Sequence, residues 1–278
     1  MPIQSICSMS VKNLDARSKM LRKTVIDALK SNGGGHIGSS MSTIEILRVL
    51  YDSVLKFDAQ HPDLLTRDRF ILSKGHGCLA LYSILADKGF FPVKDLKTFC
   101  KPTSRFGGHP ERGKVPGVEA STGALGHGLP IGVGLALALR MKRLESRVFV
   151  LTGDGEINEG SNWEALMASS KHRLSNLTVL IDYNKVQSYG PTKDVLDLEP
   201  LLAKLESFGL ATKEVDGHDV EALESLLTNL PFDKAKPSAI VCHTVKGRGL
   251  PFAEGNSEWH HRSGLSDSEF QEMYEIFS

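Results

Sequence analysis

The sequence has no excess charge of either sign: 33 lysines and arginines balance 33 aspartates and glutamates. A neutral chain gives no electrostatic reason to expect nucleic acid or an anionic membrane as partner. Long apolar runs are missing too. "LPIGVGLALAL" is too short and too rich in glycine to span a bilayer. No basic start, apolar core and small-residue cleavage site opens the chain. Cysteine is sparse. Cys7, Cys78, Cys100 and Cys242 are scattered with no CxxC pair, which argues against structural zinc and fits reduced thiols in a cytoplasmic protein. The phosphate loop GxxxxGK[ST] is absent, and "GDGEIN" does not supply the dinucleotide fingerprint GxGxxG.

What is present is glycine beside histidine. Of ten histidines, His36, His76, His109, His127 and His218 each follow a glycine directly. Glycine permits close approach of backbone or ligand, and histidine exchanges protons near neutral pH. The repeated pair suggests a polar site assembled from several loops.

From Arg147 onward, strand and helix patterns alternate. "VFVLT", "LTVLID", residues 211–215 and "SAIVCHT" read as strands. Residues 161–173, 199–207 and 219–229 read as helices, as do 11–30 and a glycine-rich stretch at about 123–140. "STIE" (Ser42, Glu45), "SNWE" (Ser161, Glu164) and "SDSE" (Ser266, Glu269) have the spacing of helix-opening capping boxes. Unbroken apolar strands alternating with helices predict an α/β fold, a parallel sheet with helices on both faces. With no linker or repeat, residues 1–278 read as a single domain. Such sheets bind ligands at the carboxyl ends of their strands.

"LTGDGEINEG" (151–160) occupies one of those ends. It places Asp154, Glu156 and Glu159 on a strand-to-helix turn, where free N–H groups ordinarily attract anions. An acidic turn there suggests a cation between protein and anion. Asn184, about thirty residues on, closes the next strand. Carboxylate, amide oxygen and backbone carbonyl are hard ligands that suit Mg²⁺ or Ca²⁺, and Mg²⁺ tends to complete its shell with water and phosphate. The alternative is a solvated acidic turn.

"GDG" followed by asparagine at this distance resembles the thiamine diphosphate fingerprint. "GGGHIGSSMS", "DRFILSKGHG", "GGHPERGKVPGVEASTGALGHG", "LTGDGEINEGSNWEA", "LIDYNKVQ", "VDGHD", "TVKGRG" and "SEWHH" are similar, in order, to the N-terminal, diphosphate-binding half of transketolase, and they span residues 33–261. The resemblance implies a thiamine diphosphate-binding fold holding thiamine diphosphate and Mg²⁺, with Ca²⁺ or Mn²⁺ able to substitute. It implies that Asp154, Asn184 and the Val186 carbonyl bind the metal. His76 and Gly155 would contact the diphosphate, with Asn184, Lys246 and His260 also beside the cofactor. Gly123 and Leu125 would border the aminopyrimidine. His36, His76, His109 and His260 would be the catalytic histidines, with His261 the alternative to His260. Glu159 would lie at a subunit interface. His127, His172 and His218 read as structural, and Glu119 as a brace for the loop before "STG". The chain departs from the family's usual pattern at Ile37 and Ala124, where proline is common.

The resemblance further implies transfer of a two-carbon ketol unit from a ketose phosphate to an aldose phosphate. No stretch of residues 1–278 resembles the pyrimidine-binding domain of transketolases. The expectation is therefore a split enzyme, completed by a separate subunit carrying that domain in an α2β2 assembly. The rival readings are the α subunit of a 2-oxoacid dehydrogenase and a non-catalytic, cofactor-binding regulatory subunit.

Overall fold

The computed structural model describes residues 14–278. Five strands form one sheet: β1 (Arg69–Leu72), β2 (Val148–Gly153), β3 (Leu177–Tyr183), β4 (Ala211–Asp216) and β5 (Ser238–His243). Their order is β1-β2-β3-β5-β4, and every pairing is parallel. β2 and β3 are buried along their whole length. That burial is why they read as continuous apolar runs, since a sheet covered on both faces needs no polar side.

The helices before the sheet's second strand are α1 (Ala16–Lys30), α2 (Ile37–Met41), α3 (Ile44–Val49), α4 (Cys78–Asp87) and α5 (Gly128–Met141). Those after it are α6 (Asp154–Ile157), α7 (Gly160–Lys171), α8 (Leu201–Ser207), α9 (Val220–Thr228) and α10 (Asp267–Ile276), with a single further helical turn at Thr192–Val195. From β1 to β4 the chain crosses the sheet in one direction; from β4 to β5 it returns. Right-handed crossovers then place the connecting helices on opposite faces. The two cores match this division. Val148 and Val150 pack with residues of α5, α7 and α8, such as Val133, Leu166 and Leu205. Phe149 and Leu151 pack in a second core with Leu227 of α9, Leu29 of α1 and Leu79 of α4.

Helix ends follow local chemistry, with corrections to the sequence reading. Asp15 caps α1 by accepting from the Ser18 N–H at 2.8 Å, so the first helix starts at Ala16; residues 11–13 lie outside the described residues. Ser266 and Glu269 form the expected capping box on α10. The other two boxes do not form. Ser42 Oγ donates to Asp182 at 2.8 Å, and Glu45 pairs with Arg22. Ser161 Oγ donates to the Gly126 carbonyl at 2.7 Å. The glycine-rich helix begins at Gly128 rather than near 123, because Gly123 (φ 145°) and Gly126 (φ 79°) break the helical path. Among the described residues no helix is long and apolar enough to cross a membrane.

Candidate active site

The carboxyl ends of the strands converge on a cleft of about 340 Å³. β2 and β3 are neighbours with Gly153 opposite Asp182, so the turns that follow them lie side by side. Asp154 sits in the first turn, 2% exposed. Its Oδ1 accepts from the Gly155 N–H at 2.7 Å, and its Oδ2 from the Lys185 N–H. Lys185 takes φ 65°, a left-handed conformation that costs a non-glycine residue roughly 1–2 kcal/mol. Asn184 and Val186 on either side of it both line the cleft with Asp154.

The three acidic residues of the turn therefore have three fates. Asp154 faces the cleft. Glu156 is buried and ties three loops together, accepting from Ser73 Oγ, the Gly126 N–H at 3.0 Å and the Gly153 N–H at 3.1 Å. Glu159 is exposed at the cleft rim.

Two residues that the sequence reading passed over organise the centre. Asp182 is fully buried. It accepts from Lys74 Nζ, Ser42 Oγ, Thr244 Oγ1 and Asn184 Nδ2, the last at 3.0 Å. With its amide nitrogen held by Asp182, Asn184 turns its Oδ1 the other way, where it accepts from the Val186 N–H at 3.1 Å. Lys74 also donates to the Ser39 carbonyl at 3.1 Å and lines the cleft. Burial would raise the Asp182 carboxyl, but Lys74 and the hydroxyl donors hold it below the usual range. Burial, then the neighbouring Asp182, pushes Asp154 up to about 6.

The histidines form one cluster around His36. Its ring centre lies 5.6 Å from His76, 5.9 Å from His109, 5.5 Å from His260 and 4.5 Å from His261. His36 and His260–His261 meet here because Gly34–Gly35 pairs antiparallel with Arg262–Ser263. The 107–109 loop is fixed from α4, where Tyr82 Oη donates to the Gly107 and His109 carbonyls at 3.1 Å. His36, His76, His109 and His260 line the cleft, whereas His261 faces a smaller side chamber. Burial, then His261 and His109, bring His36 down to about 4, and burial, then Lys246, brings His260 down to about 3. Burial also lowers His76 and His109. At neutral pH these rings are uncharged and each has a donor and an acceptor nitrogen.

Lys246 is not a surface charge. It is 2% exposed, and its Nζ donates to the Val186 carbonyl at 2.7 Å. Burial and Lys74 bring it down to about 8, against the pull of Asp154 and Asp182. Gly75 and Gly123 allow two loops to meet: a Cβ on Gly75 would lie 2.8 Å from the Gly123 nitrogen, and one on Gly123 2.9 Å from the His109 ring. Glu119 accepts from Arg67, as a brace should. His127 bonds the Leu125 carbonyl of its own turn at 3.0 Å.

The cleft is built for a polar ligand. Among the described residues, Ser39 Oγ, Gln187 Nε2 and His260 Nδ1 are buried without a protein partner, and all three residues line it. An unpartnered buried polar atom costs roughly 1–3 kcal/mol, a cost that a ligand bearing donors and acceptors removes. Asp154, Asn184 and Val186 supply carboxylate, amide and carbonyl oxygens, a set suited to a hard divalent cation. Lys74 and Lys246 place positive charge beside them for an anion.

Together these features define an α/β domain with a polar cleft at its strand ends, lined by an oxygen-donor set and two lysines on one side and a histidine cluster on the other. The family described as transketolase, thiamine diphosphate binding domain, matches residues 15–278, and the chain belongs to this family. It is 42% identical over 263 residues to one of the subunits of an apulose-4-phosphate transketolase from Actinobacillus succinogenes, covering 94% of each chain. It is 38% identical to a 6-deoxy-6-sulfo-D-fructose transketolase subunit of a Clostridium species, covering 89% of this chain and 90% of the relative. Its structure matches transketolase from Leishmania mexicana with TM-score 0.87 and 32% identity, over 95% of this chain and 41% of that one.

Proposed function

We propose that the chain is the N-terminal, diphosphate-binding subunit of a split transketolase, active with a separate subunit that carries the pyrimidine-binding domain. Two relatives of matching length with transketolase subunit names support this reading. So does the rim of the site, where Tyr189 lines the cleft and is 90% exposed. Ile131 on α5, Met167 on α7 and Leu196 beyond β3 are further large apolar side chains left exposed, as at a protein interface. Glu159 lies on the same rim, consistent with an interface role. An α2β2 assembly would pair two such rims.

In this reading Asp154, Asn184 and the Val186 carbonyl hold Mg²⁺, and His76, Gly155, Lys246 and His260 hold the diphosphate. Gly123 and Leu125 border the aminopyrimidine. Bound there, thiamine diphosphate supplies the electron sink that a two-carbon ketol transfer between a ketose and an aldose phosphate requires. The protein's part is placement and proton exchange. Asp182 orients Asn184, and Glu156 locks the three loops that shape the cleft. His36, His109 and His260, neutral and within one cluster, accept and return protons at the sugar hydroxyls.

The observation that carries the reading is the pairing of the buried oxygen set at Asp154, Asn184 and Val186 with the neutral histidine cluster across one cleft. The test is calorimetric titration of thiamine diphosphate in Mg²⁺ into the purified chain mixed with its partner subunit. Asp154→Ala should abolish binding. Unchanged affinity would refute the metal assignment.

A further inference from the structure

Behind the cleft, outside the residues that line it, lies a buried run of charged and polar groups. Arg22 and Glu45 are fully buried, and the Arg22 guanidinium grips both Glu45 oxygens, at 2.6 and 3.0 Å. Glu45 Oε2 bonds His218 Nδ1 at 2.9 Å. His218 Nε2 accepts from the Val245 N–H at 2.8 Å. That last bond settles the tautomer: Nε2 has no hydrogen, so Nδ1–H donates to Glu45. At the far end of the same loop, Arg22 Nε donates to the Arg248 carbonyl at 3.0 Å. Between these two anchors, the Gly247 N–H donates to the Gly38 carbonyl at 2.9 Å. The residue in the middle is Lys246, whose ammonium group reaches the Val186 carbonyl in the cleft.

We propose that Arg22, Glu45 and His218 form a brace that positions the 245–248 loop, making His218 a positioning residue for Lys246. The physical need is plain. A lysine side chain has four rotatable carbons and no fixed geometry, so the place of its charge depends on how firmly its backbone is held. Burying a guanidinium and a carboxylate is costly unless both are fully bonded. Here Arg22 Nε and, through His218, Glu45 Oε2 hold one loop at both ends, while the remaining Arg22 donors take the Met41 carbonyl at 3.1 Å and the Ser18 carbonyl at 3.4 Å. Gln could replace His218 in this role, with its amide oxygen accepting from Val245 and its NH₂ donating to Glu45. Leu could not.

The role given to Lys246 rests on the function proposed above; the brace itself does not. The first measurement is therefore amide hydrogen exchange on the whole chain without cofactor. His218→Leu should speed exchange at Val245 and Gly247 by roughly tenfold, the loss of about one hydrogen bond, while β2 and β3 amides keep wild-type rates. His218→Gln should restore protection. If His218→Leu does not fold, His218→Ser takes its place with the same expectation. The second measurement is thiamine diphosphate affinity in Mg²⁺ with the partner subunit present. His218→Leu should weaken it by about tenfold, as loss of a supporting partner typically does, and His218→Gln should recover it. In a Lys246→Met background His218→Leu should change affinity less than about twofold, because the two residues act through one contact. Unchanged exchange at Val245 would overturn the brace. Losses that multiply in the double variant would overturn its action through Lys246. A wild-type complex that binds no thiamine diphosphate would instead refute the proposed function, and the exchange data would still decide the brace.

Discussion

Replacing Asp182 with asparagine tests how the centre of the site is held. The carboxylate is fully buried and serves four donors, from Lys74, Ser42, Thr244 and Asn184. Asparagine is nearly the same size, but one of its two terminal atoms donates instead of accepting. At least one donor loses its partner, and the Lys74 ammonium, 1% exposed, loses its counter-charge. Removing one member of a buried ion pair costs about 3–5 kcal/mol. At about 2–4 °C per kcal/mol for a domain near this size, the melting midpoint should fall by roughly 6–20 °C. The second effect is on function. Without the carboxylate, the Asn184 amide is free to flip, and cation affinity should drop by about 10–100-fold, as for other residues that orient a ligand. Adding Lys74→Met separates the two effects. Removing both charges should recover most of the stability and leave cation affinity low. Calorimetry with Mg²⁺ or Mn²⁺ and thermal unfolding of the same preparations provide both readings. A midpoint within about 2 °C of wild type, with cation affinity unchanged, would refute the reasoning.

His36→Ala should leave thiamine diphosphate affinity within about threefold and lower turnover by about a hundredfold or more, because the ring serves protons rather than the cofactor. A parallel loss of cofactor affinity would count against that role. Gly123→Ala puts a Cβ 2.9 Å from the His109 ring at φ 145°, and should reduce turnover and lower the melting midpoint; a fully active variant would show that the loop yields freely. Glu45 gives a pH test. Burial alone would raise its carboxyl, but Arg22 and then His218 hold it well below its ordinary value of 4.5. Its stabilisation is thus fully present above that value and is lost only as pH falls through the depressed one. The midpoint gap between wild type and Glu45→Gln should stay flat from about pH 8 to about pH 5. A gap that closes over that range would contradict the sign.

The sheet was legible in the sequence because strands buried on both faces leave unbroken apolar runs, and three of the five strands, β2, β3 and β5, show them. β1, "RFIL", is short and flanked by charge, and it stood out only as part of a motif. The acidic turn and Asn184 were also legible, since donor chemistry is carried by residue type. Positions fixed by distant partners were not. Asp182 and Lys74 are separated by 108 residues, and nothing local marks either as half of a pair. Ser42 and Ser161 have capping-box spacing, yet their hydroxyls serve tertiary contacts that spacing does not report. Lys185 takes a left-handed conformation usually left to glycine or asparagine, because the Asp154 carboxylate accepts its N–H. That His260 lines the cleft and His261 a side chamber left no periodic signal in the sequence either.

Native mass spectrometry of the protein isolated from its own host, under conditions that retain cofactors, tests the central claim most directly. The account expects this chain in a complex with a second chain of similar size, in equal copies, together with thiamine diphosphate and a divalent cation. A homodimer of this chain with neither cofactor nor second subunit would contradict it.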